Sequence, residues 1–176
     1  MPAPYKGGGS QAPCLNHLVT GEVDILIDIA LCKGHSGTFG GFTMCMKNHF
    51  GTFSPRPSHQ GGGGADYLIG INKSPEILGQ MDPQTGNVLY PRQQLCLVDA
   101  LWSSQGGPGG LSTHQTNALM MGTCGPVVDY VGAMRFRKDT MGWNVNEQVA
   151  ARILREFGYS EGDLPNAGQI IEPAAA

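Results

Sequence analysis

The chain has 176 residues, 40% hydrophobic and 14% charged, which is enough for one domain with a sizeable core. Its net charge of −3, with the eleven Lys and Arg scattered, excludes a general nucleic-acid binder built on a basic face. No apolar run approaches the roughly 18 residues of a membrane helix, and no basic-then-apolar start resembles a signal peptide, so a cytoplasmic protein without a membrane span is expected.

Glycine at 27 residues and proline at 12 are high, which predicts long loops. The five cysteines, Cys14, Cys32, Cys45, Cys96 and Cys124, are odd in number and too sparse for a disulfide framework, which favours a reducing compartment. Cys96 and Cys124 lie in apolar surroundings and read as small core residues.

Residues 1–20 show no periodicity and read as an extended arm. Residues 23–30 (VDILIDIA) read as a mostly buried strand, being rich in β-branched residues and too short for a typical helix. The stretch 31–51 then gathers two lysines, two histidines, two cysteines, an asparagine and five glycines at the carboxyl end of that strand, where a ligand site is expected. Residues 52–65 carry Pro55, Pro57 and Gly61 to Gly64, a flap over the site or an unstructured excursion. After a short apolar run at 67–71, Ser74 with Pro75 has the form of a helix start, and 82–86 of a turn.

Residues 94–99 read as a second buried strand ending in a carboxylate, followed by a glycine-rich loop at 103–110 and a third strand at 118–122. Gly125 and Pro126 open a helix with Val127, Val128, Val131 and Met134 on one face. Asn144 to Glu147 has the form of a capping box for a final helix, in which Val145, Val149, Ile153, Leu154 and Phe157 recur at helical spacing until Gly158 stops it. With no repeat or linker, the expectation is an arm at 1–20, a single α/β domain over 21–172 and a tail at 173–176. Its sheet is expected to be mostly parallel, with flanking helices and long glycine-rich loops.

Several short patterns recur in a fixed order. They are residues 24–28 before Lys33-Gly-His35, Thr43 through Lys47-Asn48 to Phe50-Gly51, residues 97–99 before the 106–109 loop, and Met121-Gly122 through 126–129. In this order, over residues 20–172, the chain resembles the C-terminal part of the DUF362 family, named for its undefined function. The resemblance implies an α/β fold in a redox-linked or cofactor-linked context and supplies no established catalytic residue. An N-terminal segment of longer relatives and their ferredoxin-like Cys-x-x-Cys-x-x-Cys repeats have no counterpart here, so an incomplete sheet is expected to invite a homo- or hetero-oligomeric partner.

Two readings of stretch 31–51 compete. In one, Lys33, His35, Lys47 and Asn48 converge on a small anionic ligand or cofactor, with Asp99 and Asp129 closing the site from neighbouring elements. Its plainer counterpart has solvated lysines, a turn-capping Asn48 and aspartates bonded to local backbone. In the other, Cys32-x-x-His35 and Cys45-x-x-x-His49 supply four ligands for tetrahedral zinc, a spacing that Cys14-x-x-His17 repeats. Buried thiols and a hydrogen-bonded histidine account for the same residues without a metal, and no four-cysteine set suits an iron–sulfur cluster.

His59 and His114 read as exposed loop residues, and no P-loop, Gly-x-Ser-x-Gly elbow or nucleophile–base pair is visible. Trp102 and Trp143 flank glycine-rich segments, as pocket walls or as core. Met44, Met46, Met120 and Met121 read as core filling or as a partner-facing patch. The leading expectation is therefore a protein that binds a small anionic ligand or cofactor, with redox or proton-transfer chemistry. Its rival is a non-catalytic subunit packed into an assembly through its glycine loops and methionines.

Overall fold

A computed structural model describes residues 23–52, 64–85, 87–107, 109 and 111–164. In chain order the strands are β1 (Leu26–Leu31), β2 (Lys33–Gly34), β3 (Phe42–Thr43), β4 (Gly79–Met81), β5 (Val88–Pro91), β6 (Gln93–Ser103) and β7 (His114–Gly122). The helices are α1 (Cys45–Asn48), α2 (Gly64–Asn72), α3 (Pro75–Leu78), α4 (Gly125–Val131) and α5 (Glu147–Glu156). α4 runs on into a wider π-type segment, Gly132–Thr140. The expected arm, the tail, Cys14, His17, His59 and most of the 52–65 stretch lie outside the described residues.

The main sheet has three strands in the order β1-β6-β7. β1 and β6 run parallel, with Asp28 opposite Cys96 and Ala30 opposite Val98, whereas β6 and β7 are antiparallel, with Val98 opposite Met120. Two small antiparallel pairs, β2 with β3 and β4 with β5, lie outside it. The sheet is thus mixed and not mostly parallel. The cause is local: only about ten residues separate β6 from β7, fewer than a crossover helix needs, so the chain must fold straight back.

Side chains alternate along each strand, so one face of the sheet looks inward and the other outward. Inward go Asp28, Ala30, Cys96, Val98 and Ala100, all buried. They meet Met44 and Met46 around α1, Leu68 and Ile71 of α2, Val128 of α4, and Ile153 and Leu154 of α5 in one core. Outward go Ile27, Ile29 and Leu31 of β1 and Leu119 and Met121 of β7, all exposed. The segment expected as a mostly buried strand is therefore buried on one face only, and its isoleucines are on the other.

The helix expected after Ser74 forms as the single turn α3, with Pro75 in the first turn. The apolar run at 67–71 belongs to α2. The last helix is capped by Asn146, whose Oδ1 accepts the Val149 N–H at 3.3 Å, rather than by the expected Asn144. Gly158, at φ 85°, follows its end in the left-handed conformation that favours glycine. Cys96 is fully buried, as a core residue should be, whereas Cys124 is only half-buried. Among the described residues no helix is long and apolar enough to cross a membrane.

Candidate functional site: a cleft between two glycine loops

β1 and β6 end side by side, and the loops that leave them meet at once. Gly34 N donates to Gly106 O at 3.1 Å, and Cys32 N donates to Asp99 O at 3.0 Å. A Cβ on Gly34 would collide with the Gln105 carbonyl, and one on Gly107 with the Gly34 carbonyl. Glycine is required at both positions because two backbones touch there. Beyond the contact, Gly40 and Gly41 take φ of 91° and 85°, turning the first loop back so that His35 N donates to Gly41 O at 3.1 Å.

A third segment closes the site. Asn146 N donates to Gly40 O at 2.8 Å and Asn146 Nδ2 to Gly37 O at 3.2 Å, which ties the start of α5 to the first loop. The three segments enclose a cleft of about 650 Å³ lined by His35, Gly37, Gly41, Gln105, Gly106, Asn144, Val145 and Asn146. His35 Nδ1 accepts the Ser36 N–H at 2.8 Å, so the neutral ring carries its proton on Nε2. The ring is braced edge-on against Phe39, centroids 4.6 Å apart.

Under the second loop lies Arg137, fully buried on the π-type segment. Its Nη1 donates to Ser104 O at 2.9 Å and its Nη2 to Gln105 O at 3.0 Å, and its guanidinium lies 4.9 Å from the Trp143 ring. No carboxylate pairs with it among the described residues, and its Nε has no hydrogen-bond partner there. Because a trans peptide sets N–H opposite C=O, carbonyls aimed at Arg137 turn the N–H groups of Gln105 and Gly106 away from it. The positive charge thus sits behind a loop that lines the cleft.

The residues singled out by spacing are distributed over several places. His35 lines the cleft. Lys33, half-buried, pairs with Thr43 on the β2–β3 hairpin. Lys47 lies over Phe50, Nζ 3.1 Å from the ring centroid, and within 4.5 Å of Phe39. Burial lowers its ammonium to about 8, while the aromatic faces favour the charged form and oppose the shift. Asp99 sits on the outer face and accepts the Leu101 N–H at 2.9 Å.

Asn48, itself exposed, reaches inward, and Asp129 is buried. Asn48 Nδ2 donates to Asp28 Oδ1 at 2.7 Å. Asp129, 1% exposed, accepts Cys45 N–H at 2.9 Å and Met46 N–H at 3.0 Å, so it caps α1 from a distant helix. Burial pushes its carboxyl up to about 7, against the pull of those two amides. The four ligands expected for zinc are not gathered. The Cys32 thiol lies 3.8 Å from Arg137 Nη1 and His35 lies in the cleft, whereas Cys45 and His49 lie beneath the sheet near Asp28. Among the described residues the one group of such side chains close enough to share an ion is Asp28, Cys45 and Cys96.

Sequence reasoning passed over Arg137, Asn144, Asn146 and Asp28. Arg137 and Asn146 carry no local signal, since an arginine or asparagine near a helix end is ordinary. Asp28 did carry one: it is a charged residue inside an otherwise apolar strand.

The chain matches no curated protein and no solved structure. The sequence profile of a domain of unknown function, DUF362, matches residues 17–134, a span that takes in both glycine loops, the whole of the main sheet and α4. On that match the chain belongs to the DUF362 family.

Proposed function

We propose that the cleft binds a small anionic ligand or cofactor. The observation that carries this reading is Arg137, a guanidinium with no carboxylate partner among the described residues, buried behind the loop that lines the cleft. A buried charge held only by neutral carbonyls is poorly compensated, and an anion in front of the loop would compensate it. The N–H groups of Gln105 and Gly106 and the side-chain amides of Asn144 and Asn146 offer directed donors for such a ligand. His35, which also lines the cleft, adds a ring nitrogen that can hydrogen-bond to such a ligand. The position agrees with the rule that ligands collect at the carboxyl ends of parallel strands.

Gly106 provides a clean test, because a Cβ there meets nothing within 4 Å. Inorganic phosphate titrated into the full-length chain by calorimetry is expected to bind, and Gly106→Leu to weaken it by roughly tenfold or more, about 1.4 kcal/mol, with no loss of thermal stability. Equal affinity in wild type and Gly106→Leu would contradict the reading.

A second reading, a subunit of an assembly, draws on a separate observation. The outward face of the main sheet exposes Ile27 at 60%, Ile29 at 61%, Leu119 at 57% and Met121 at 69%, an apolar surface interrupted by Asp99 between Leu31 and Leu119, more than lone soluble domains usually leave bare. The two readings are compatible in one molecule.

A further inference from the structure

On the opposite side of the sheet from that apolar face, three ligand-bearing side chains point into the core together. Asp28 and Cys96 are direct partners across the parallel strands β1 and β6, and Cys45 opens α1 above them. All three are buried, and their ligand atoms lie within 4.8 Å of one another. A tetrahedral zinc with such donors needs them roughly 3.3–3.8 Å apart, so closing around an ion asks no pair to move by more than about 1.5 Å.

Asp28 supplies the independent sign that something is missing. Its side chain is 1% exposed, its Oδ1 accepts from Asn48, and its Oδ2 has no hydrogen-bond partner among the described residues. An inward carboxylate oxygen without a donor is costly in a protein interior, and a cation would satisfy it. A fourth donor stands beside it: His49 Nε2 lies 3.6 Å from that oxygen while bonded to Gln93 Oε1 at 2.5 Å.

The surroundings hold the ligands in place as an outer shell does. Asp129 fixes the Cys45 and Met46 amides, and Asn48 orients the Asp28 carboxylate. Gln93 Nε2 contacts Cys96 Sγ at 3.0 Å. Gly125 leaves the space open, since a Cβ there would come within 3.1 Å of Gln93 Nε2 and 3.5 Å of Cys96 Sγ.

We infer that Asp28, Cys45 and Cys96 form a site for a thiophilic divalent cation of the Zn²⁺ type, with His49, beside Asp28 but outside that group of three, reaching the fourth position only by leaving Gln93 and moving inward. Two thiolates select against Mg²⁺ and Ca²⁺, which prefer oxygen ligands throughout. The site is separate from the anion cleft and does not depend on it.

Cobalt tests this without any knowledge of an activity. Co²⁺ added to the reduced, metal-free full-length chain is expected to give a thiolate charge-transfer band and tetrahedral d–d absorption at one equivalent, both lost on adding one equivalent of Zn²⁺. Cys45→Ser with Cys96→Ser is expected to abolish the bands, and the isosteric Asp28→Asn to weaken Co²⁺ binding at least tenfold. Cys32→Ser, at a buried thiol outside the group, is expected to leave them unchanged. Absence of both bands in wild type whose thiols are shown by thiol titration to be fully reduced would overturn the inference. So would bands that survive the double serine variant.

Discussion

Burying Arg137 beside Ser104 O and Gln105 O places a full positive charge where the only acceptors described are neutral, and Asp129 is its acidic counterpart on the same side of the sheet. Asp129 differs in having two charge-seeking donors, the amides of Cys45 and Met46, which would otherwise be the unpaired start of α1. Replacing it by alanine leaves two buried N–H groups without acceptors. Asp129→Ala is therefore expected to lower stability by roughly 2–6 kcal/mol, at about 1–3 kcal/mol for each donor left unpaired. Urea denaturation of the metal-free protein measures this, and a loss below about 1 kcal/mol would mean that water or another group takes over the cap. At this scale the sequence was partly legible. Asp129 stood out as a carboxylate near a helix start, but its partner is 84 positions away, a separation that no local pattern encodes.

Strand β1 shows why an element can be read correctly as a strand and its burial misjudged. Its alternation of Ile27, Asp28, Ile29, Ala30 and Leu31 is a clear period-2 signal. Period alone does not say which set faces the core, and a one-residue change of register exchanges them. Hydrophobicity would send the isoleucines inward; instead Asp28 and Ala30 are buried and the isoleucines are exposed. An apolar outer face on both β1 and β7 is expected to be covered by a partner chain. Sedimentation of the wild-type chain at micromolar concentration is expected to show a dimer or larger species, and the pair Ile29→Lys with Met121→Lys a monomer of unchanged helix content. A wild type that stays monomeric at about 100 μM would count against the assembly reading while leaving the cleft untouched. The π-type segment after α4 was not legible at all, because no local pattern in 132–140 distinguishes a widened turn from an ordinary helical one.

At the scale of the whole molecule, the cleft is made where three segments far apart in the chain converge: 34–41, 105–107 and 144–146. The first two were readable as glycine-rich loops at strand ends, and the parallel pairing of β1 with β6 brings those ends together. The third was read only as the cap of α5, a role that Asn146 fills while also binding the first loop. Lys33 and Lys47 stood out as charges, but the cationic side chain that lies behind the second loop of the cleft is Arg137, buried and bonded to its carbonyls. The most direct measurement is an amide NMR map of the wild-type chain titrated with inorganic phosphate. The expected result is saturable shifts confined to Gly41, Gln105, Gly106 and the backbone and side-chain amides of Asn144 and Asn146. An unchanged spectrum, or shifts scattered over exposed lysines with those amides unmoved, would contradict an anion site between the two glycine loops.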